Sequence, residues 1–400
     1  MNDERFVVNP ETGAWGIAQE GSEGELLNVL KQKPRPEKRY LGIYSIILNT
    51  TSRCNMNCIY CSAFKNCSEQ MREGVAKKAV EEAAKLELVP RIVFHGSEPL
   101  LNMPLIRSTV EYGESLPREV LFYLQSNLTA LTDDKLEFIR KHNIGVSTSI
   151  DGFCEQHNLT RPFKNGLPTY DRVIKNMQRI MEHQKGMFTV TVVTKYNVNS
   201  LSEIALDLEK KGVTHIQFLP AVKCHESNED FQPTNKELTE SYIKLFEQTF
   251  QRMETGEQTA VIRNIPQFFA SLFLRTGVDS CRICSSANYH PILAVDLNGD
   301  IYPCDYFFGD AKYAIGNIMK ESFSDMLNSK RSFRSRSIDD SACKDCDIKM
   351  ICGGGCMADR LFSGGRPYYC ETYSKVYQYL WSKVLALKEK GLLGKVMKNL

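Results

Sequence analysis

Residues 52–64 read SRCNMNCIYCSAF and set Cys54, Cys58 and Cys61 within eight positions. They follow GIYSIILNTT (42–51), an apolar run of strand length that is far too short to cross a bilayer. Three thiols in the loop after a strand are one ligand short of a closed tetrahedral site. An iron–sulfur cluster that keeps one iron open needs three. A zinc site needs a fourth ligand, which nearby Cys67 would supply, since no histidine lies close in sequence. The spacing leaves both open.

Outward from this loop the periodicity alternates. Strand-like runs fall at 43–49, 91–96, 120–126, 144–150, 187–194 and 215–220, and amphipathic helical patterns separate them. Such alternation predicts right-handed parallel βαβ units, either a doubly wound sheet or an incomplete barrel. In both architectures chemistry gathers at the carboxyl ends of the strands, where the three cysteines lie. Residues 234–278 read as helical, Cys281 to Cys370 as short Cys- and Gly-rich segments, and 372–390 as a helix. At the other end, RFVV and AWGI read as two strands about a turn from Asn9-Pro10 to Gly13. Ser22 and Glu25 then stand at capping-box spacing before LLNVLK. The expected organisation is a small β/α element at 1–40, a core at 41–222, a helical connection at 223–280, a cysteine-rich domain at 281–376 and a terminal helix at 377–400.

Composition narrows the class. The 400 residues carry a net charge of +2, which gives no reason to expect polyanion binding. The basic run KRSFRSRS (330–337) reads as a solvated face, and the Lys-rich C-terminal helix as exposed rather than membrane-anchoring. MNDERFVVNPETG has no apolar segment behind a basic start, so a cytoplasmic protein is expected. Fourteen cysteines in such a chain point to metal rather than disulfides.

CNMNCIYC resembles the C-x3-C-x2-C motif of the radical S-adenosylmethionine (SAM) enzymes, including the aromatic Tyr60 before the last cysteine. The resemblance implies a [4Fe-4S] cluster on Cys54, Cys58 and Cys61 whose open iron is chelated by SAM. FHGSEPLL is similar to the family's Gly-Gly-Glu-Pro stretch, with Gly96, Ser97 and Glu98 toward the SAM amino group and Ser97 standing where a glycine is usual. Gln125, Ser126 and Asn127 would face the ribose, Ser149 would touch SAM, and Arg161 matches an arginine of peptide-modifying members. CKDCDIKMICGGGC with Cys370, and upstream Cys281, Cys284 and Cys304 in GDIYPC, resemble the SPASM domain and its two auxiliary [4Fe-4S] clusters. By motif position, Cys343, Cys346, Cys352 and Cys370 would hold one and Cys281, Cys284, Cys304 and Cys356 the other. Cys67, Cys154 and Cys224 are left over and expected as buried thiols. His157 and His225 are expected to be structural.

The resemblance covers about residues 42–375. It implies an α/β fold, a partial (βα)6 TIM-like barrel with an irregular C-terminal SPASM domain, three [4Fe-4S] clusters and SAM. The expected substrate is a residue of a peptide or protein, the electron donor a flavodoxin or ferredoxin, with neither membrane nor nucleic acid as partner. Ribosomal-peptide maturation is one outcome. Formylglycine formation in a sulfatase is another, because YPCDYFFGDAKYAIGNI (302–318) resembles the anaerobic sulfatase-maturating enzymes. Asp305 matches the proposed base of those relatives, against the plainer reading of an aspartate that caps a turn. A non-catalytic zinc module that binds nucleic acid or protein is the reading from a different class.

Overall fold

The structure is a computed structural model that describes residues 4–9, 15–32, 45–61, 68–86, 89–223, 230–274, 292–328 and 343–398. Cys67, Cys224, His225, Cys281 and Cys284 lie outside the described residues, as does the basic run at 330–337.

All six expected core strands form: β3 Ser45–Asn49, β4 Arg91–His95, β5 Leu121–Gln125, β6 Gly145–Ser149, β7 Phe188–Val193 and β8 His215–Pro220. They follow β1 Glu4–Val8 and β2 Trp15–Gln19 and precede β9 Val261–Ile262, β10 Ile292–Val295, β11 Asp300–Tyr302 and β12 Gly316–Asn317. The large sheet runs β12-β11-β10-β3-β4-β5-β6-β7-β8-β9. Pairing is parallel from β10 through β3 to β9, whereas β11 and β12 are antiparallel. Strands β3 to β8 succeed one another without reversal, so there is no switch point and the doubly wound alternative fails. The ends β12 and β9 are not paired to each other, which leaves the barrel incomplete.

Burial alternates along β4, β5, β6 and β7 with a period of two. Ile46, Leu48, Ile92, Phe94, Phe122 and Leu124 point outward and are buried under the helices. The inward set, Ile47, Val93, Gln125 and Ser149, lines a cavity instead. The apolar core therefore lies between sheet and helices, and the interior is left for ligands.

The segment expected to be a helical connection contains β9 between helices Asn235–Thr255 and Asn264–Leu274. Two residues are too few to leave a periodic signal, which is why the reading missed it. The long C-terminal helix spans Cys370–Glu389, and Lys383 on it is almost buried between Glu247 (3.1 Å) and Glu254 (2.9 Å) of helix Asn235–Thr255. β1 and β2 pair antiparallel beside helix Glu23–Lys31, around a small core of Val7, Ala18 and Leu30. Ser22 is that helix's N-cap, but no capping box forms: Ser22 Oγ donates to Gln19 O and the Glu23 carboxylate takes Gly21 N. Cys154, expected buried, is exposed. Among the described residues no helix is long and apolar enough to cross a membrane.

Candidate active site at the barrel mouth

A cavity of about 730 Å³ opens at the carboxyl ends of the strands. Cys54, Cys58 and Cys61 occupy one wall, and Cys304, Asp305 and Cys356 lie on the part of it contributed by the C-terminal region. Of the residues expected to meet SAM, all line it except Glu98.

The cysteine loop is held by backbone bonds rather than by regular structure. Asn57 N donates to Pro162 O (2.8 Å), Ile59 N to Thr160 O (3.0 Å), and Lys164 N to Asn55 O (3.0 Å). Asn127 Nδ2 reaches Asn55 Oδ1 (3.0 Å), tying the end of β5 to the residue after Cys54. Glu98 is fully buried behind the wall and acts as the clamp: its carboxylate accepts from Ser126 Oγ (2.6 Å), Asn127 N (2.8 Å) and Leu100 N (3.1 Å). Its motif neighbours are fixed as well. Gly96 has φ +107, and a Cβ there would meet Asn49 Oδ1 at 2.2 Å, so only glycine fits. Ser97 has no such constraint, and its N–H is already spent on Thr51 O (3.2 Å) rather than offered to the cavity. Gln125 accepts from Ser147 Oγ and donates to Ser149 Oγ (3.3 Å).

Beside the cysteines runs a buried polar chain. Arg161 Nη1 donates to Tyr60 OH (2.5 Å), and Tyr60 OH to Asp151 Oδ2 (2.5 Å). Asp151 also accepts from Thr160 Oγ1 (2.9 Å) and Val192 N (3.1 Å). Burial pushes the Asp151 carboxyl up against the pull of Arg161 and Tyr60. His157 is buried with Nδ1 taking Asp151 N (3.3 Å), and burial, then Arg161, lowers it to about 3. It is a neutral structural histidine.

The donors suit the cluster expected of the cysteine motif. Burial pushes the Cys58 thiol up to about 12, with Arg161 opposing, and Cys54 also upward. Such thiols ionise when a cationic group binds them, and a cluster of irons is one. Arg161 Nε is buried on the same wall without a partner among the described residues. Among the described residues no three His, Cys, Asp or Glu side chains converge on a single-ion site. Of the described thiols, Cys54, Cys58, Cys61, Cys304 and Cys356 line the cavity.

In the C-terminal region Cys343, Cys352 and Cys304 are buried, and Cys346, Cys356 and Cys370 partly so. Gly353, Gly354 and Gly355 all have positive φ (71, 87 and 68), a left-handed run between Cys352 and Cys356 that residues with a Cβ would strain. The Arg366 guanidinium is raised chiefly by its hydrogen bond with the Cys370 sulfur, with Cys346 also contributing, so these two ligand candidates flank one cation. Asp305 does not cap a turn: among the described residues its carboxylate accepts no hydrogen bond, and His95 Nδ1 lies 3.6 Å from it.

Sequence reasoning passed over the inward residues Asn49, His95 and Asp296. The signal was available, since each is a polar residue that ends or directly follows the apolar stretch of its strand.

Two family models match the chain: the radical SAM superfamily over residues 48–208 and SPASM, an iron–sulfur cluster-binding domain, over 278–347. The chain is similar to a cysteine-type anaerobic sulfatase-maturating enzyme of Clostridium novyi, 24% identical over 85% of this chain and 95% of that one. A serine-type anaerobic sulfatase-maturating enzyme of Bacteroides thetaiotaomicron is 26% identical over 84% and 89%. An uncharacterized protein of Methanocaldococcus jannaschii is 35% identical over 69% and 89%. Among solved structures, anSMEcpe with bound AdoMet and the Cp18Cys peptide matches with a TM-score of 0.74 at 21% identity, covering 87% of this chain and 99% of that one. Streptococcus suis SuiB bound to precursor peptide SuiA matches at 0.62 and 16%, covering 88% and 80%.

Proposed function

Because the chain belongs to the radical SAM superfamily and carries a SPASM domain, we propose that it oxidises a residue within a ribosomally made peptide, by thioether formation, a carbon–carbon crosslink or a related change. Membership makes the chain an enzyme, against the reading of a non-catalytic zinc module. The observation that carries the substrate reading is the cavity. It joins the cysteine wall, Cys304 and Cys356 of the C-terminal region, and the open carboxylate of Asp305 in one enclosure.

In this reading Cys54, Cys58 and Cys61 hold the SAM-binding cluster. Cys343, Cys346, Cys352 and Cys370 hold one auxiliary cluster, and Cys281, Cys284, Cys304 and Cys356 the other. When bound, SAM and the clusters supply reductive cleavage to a 5′-deoxyadenosyl radical and an acceptor for the electron left on the substrate. The chain's own groups do the rest. Gly96, Ser97, Gln125, Ser126, Asn127, Ser149 and the Tyr60–Arg161 pair shape the SAM side of the cavity, and Glu98 fixes Ser126 and Asn127 from behind. The enclosure keeps water and stray hydrogen donors from the reacting carbon. Asp305 takes the proton that leaves as the new bond forms. A reduced flavodoxin or ferredoxin supplies the electron, in a cytoplasm that keeps the thiols reduced. The unit of β1, β2 and helix Glu23–Lys31, which has its own small core, would hold the rest of the peptide.

Formylglycine formation in a sulfatase is the second reading, favoured by the extent of the match to the two sulfatase-maturating relatives. Anaerobic reconstitution should give about twelve irons per chain and, with SAM and dithionite, 5′-deoxyadenosine. Absence of that nucleoside sinks both readings. The product separates them: a crosslink and the oxidation of a serine both lose two hydrogens, but only formylglycine carries an aldehyde that a hydrazide traps.

A further inference from the structure

One row of inward side chains crosses four parallel strands at the barrel mouth. Val295 is in register with Leu48, Asn49 with His95, and Phe94 with Leu124. The row therefore reads Asp296, Asn49, His95, Gln125. Gln125 is occupied by Ser147 and Ser149. The other end is open. Asn49 Nδ2 donates to Asp296 Oδ1 (2.7 Å), while Asn49 Oδ1 has no partner among the described residues, although the residue is only 8% exposed. His95 Nδ1 is likewise unpartnered, 3.6 Å from Asp305 and beyond hydrogen-bond reach.

Charge points the same way. The described lining of the cavity carries four carboxylates, Glu69, Asp296, Asp305 and Asp359, and no lysine. Its one guanidinium, Arg161, is tied to Tyr60 and Asp151. Carboxylates without a cation in a concave, low-dielectric site cost solvation and focus a negative potential. A ligand that brings positive charge and several N–H donors relieves both; a thiol or hydroxyl brings one donor and no charge.

We propose that Asp296, Asn49, His95 and Asp305 form a subsite for the cationic head of a lysine or arginine side chain of the peptide substrate, held beside the reaction centre. The inference rests on the reading of the enzyme as a peptide oxidase and adds the class of side chain it seats. Leu297, Tyr306 and Phe308 follow the two aspartates in the chain and line the same cavity, so the aliphatic stem packs on them while the head reaches the row. The charge-assisted bonds then fix the register of the peptide, and with it which neighbouring carbon is presented.

The test uses the full chain, reconstituted anaerobically with SAM, and blocked pentapeptides acetyl-Gly-Ala-Xaa-Ala-Gly-amide titrated by calorimetry. Xaa is Lys, Arg, norleucine, Ser or Cys. The Lys or Arg peptide should bind at least about tenfold tighter than the norleucine peptide, one charge-assisted hydrogen bond's worth. In Asp296→Asn, and separately in Asp305→Asn, that ratio should shrink to roughly threefold or less, with norleucine affinity as the internal control for folding. Ser or Cys peptides binding as tightly as Lys, an unchanged ratio in both variants, or no binding by any peptide would overturn the subsite. 5′-Deoxyadenosine formation without peptide is measured in parallel on the unsubstituted enzyme. Its absence removes the parent reading and the subsite with it, whereas its presence with a flat peptide series removes the subsite alone.

Discussion

Two walls of one cavity are built on opposite plans. On the wall of the cysteine loop, Tyr60, Arg161 and Asp151 bond one another, with Arg161 Nε the one atom of the three left over among the described residues, and the thiols are held by backbone bonds to residues 160–164. On the wall built by Asp296, Asn49, His95 and Asp305, among the described residues, Asn49 Oδ1, His95 Nδ1 and the Asp305 carboxylate are without hydrogen-bond partners. A saturated network is rigid, because every group that moves must abandon a partner in a low dielectric. An unsaturated one costs free energy until something arrives to satisfy it. The difference separates a wall shaped for a resident group from one shaped for a visitor.

The largest effect should come from the resident side. Replacing Cys54, Cys58 and Cys61 together by alanine should abolish 5′-deoxyadenosine formation and leave roughly eight of about twelve irons, since the other candidate ligands come from a distant stretch of chain. Iron analysis and the nucleoside assay read both. Loss of all iron would mean that the two regions do not fold independently around their metals.

On the visitor side, Asp305→Asn keeps shape and removes the base. Modified peptide per 5′-deoxyadenosine formed should fall about 10²–10⁴-fold. An unchanged ratio would leave Asp305 without a chemical role and weaken the link to the sulfatase-maturating relatives.

The saturated chain supplies the next effect. Asp151→Asn leaves the Arg161 guanidinium buried without its counter-charge, which costs about 3 kcal/mol of folding stability by the usual penalty for breaking a buried pair. Chemical denaturation of the apo chain measures it. A loss below about 1 kcal/mol would show that Tyr60 alone satisfies the arginine and that the wall is less tightly coupled than its geometry implies.

How much of this could be read from sequence differed between the walls for the same reason. The cysteine wall is local: three thiols and Tyr60 lie within eight residues, and β3 to β8 announce themselves because outward Ile, Leu and Phe alternate with inward residues at a period of two. The other wall is assembled from residues 49, 95, 296 and 305, which only sheet register brings together. That register required β10 to join β3 in parallel across more than two hundred residues, and nothing in ILAV says which strand it will pair with. The bracing bonds of Glu98 to Ser126 and Asn127 were illegible for a related reason. A motif says that a carboxylate is needed, not whether it meets the ligand or braces the loops that do.

The smallest effect concerns Asp359, at the edge of the same cavity. It is only 1% exposed and accepts from Ser363 Oγ (3.0 Å) and Tyr368 N (3.0 Å). Burial outweighs these bonds and raises its carboxyl to about 6 from an ordinary value of 3.8. In the folded chain it therefore keeps its proton between about pH 4 and 6, where the unfolded chain has released it. The folded state binds more protons across that window, so stability falls as pH rises through it, by a few kcal/mol at most. Asp359→Asn removes the ionisation; its one oxygen can still accept from Tyr368 N while its amide donates to Ser363 Oγ. The variant should be flatter than the parent between pH 4 and 6 and more stable than it at pH 7, by about 1–2 kcal/mol. Denaturation curves at several pH values check this. A variant that loses stability at pH 7 would mean that the ionised carboxylate has a cation beside it. The open wall would then be partly satisfied from within the chain, and the contrast between the two walls would narrow.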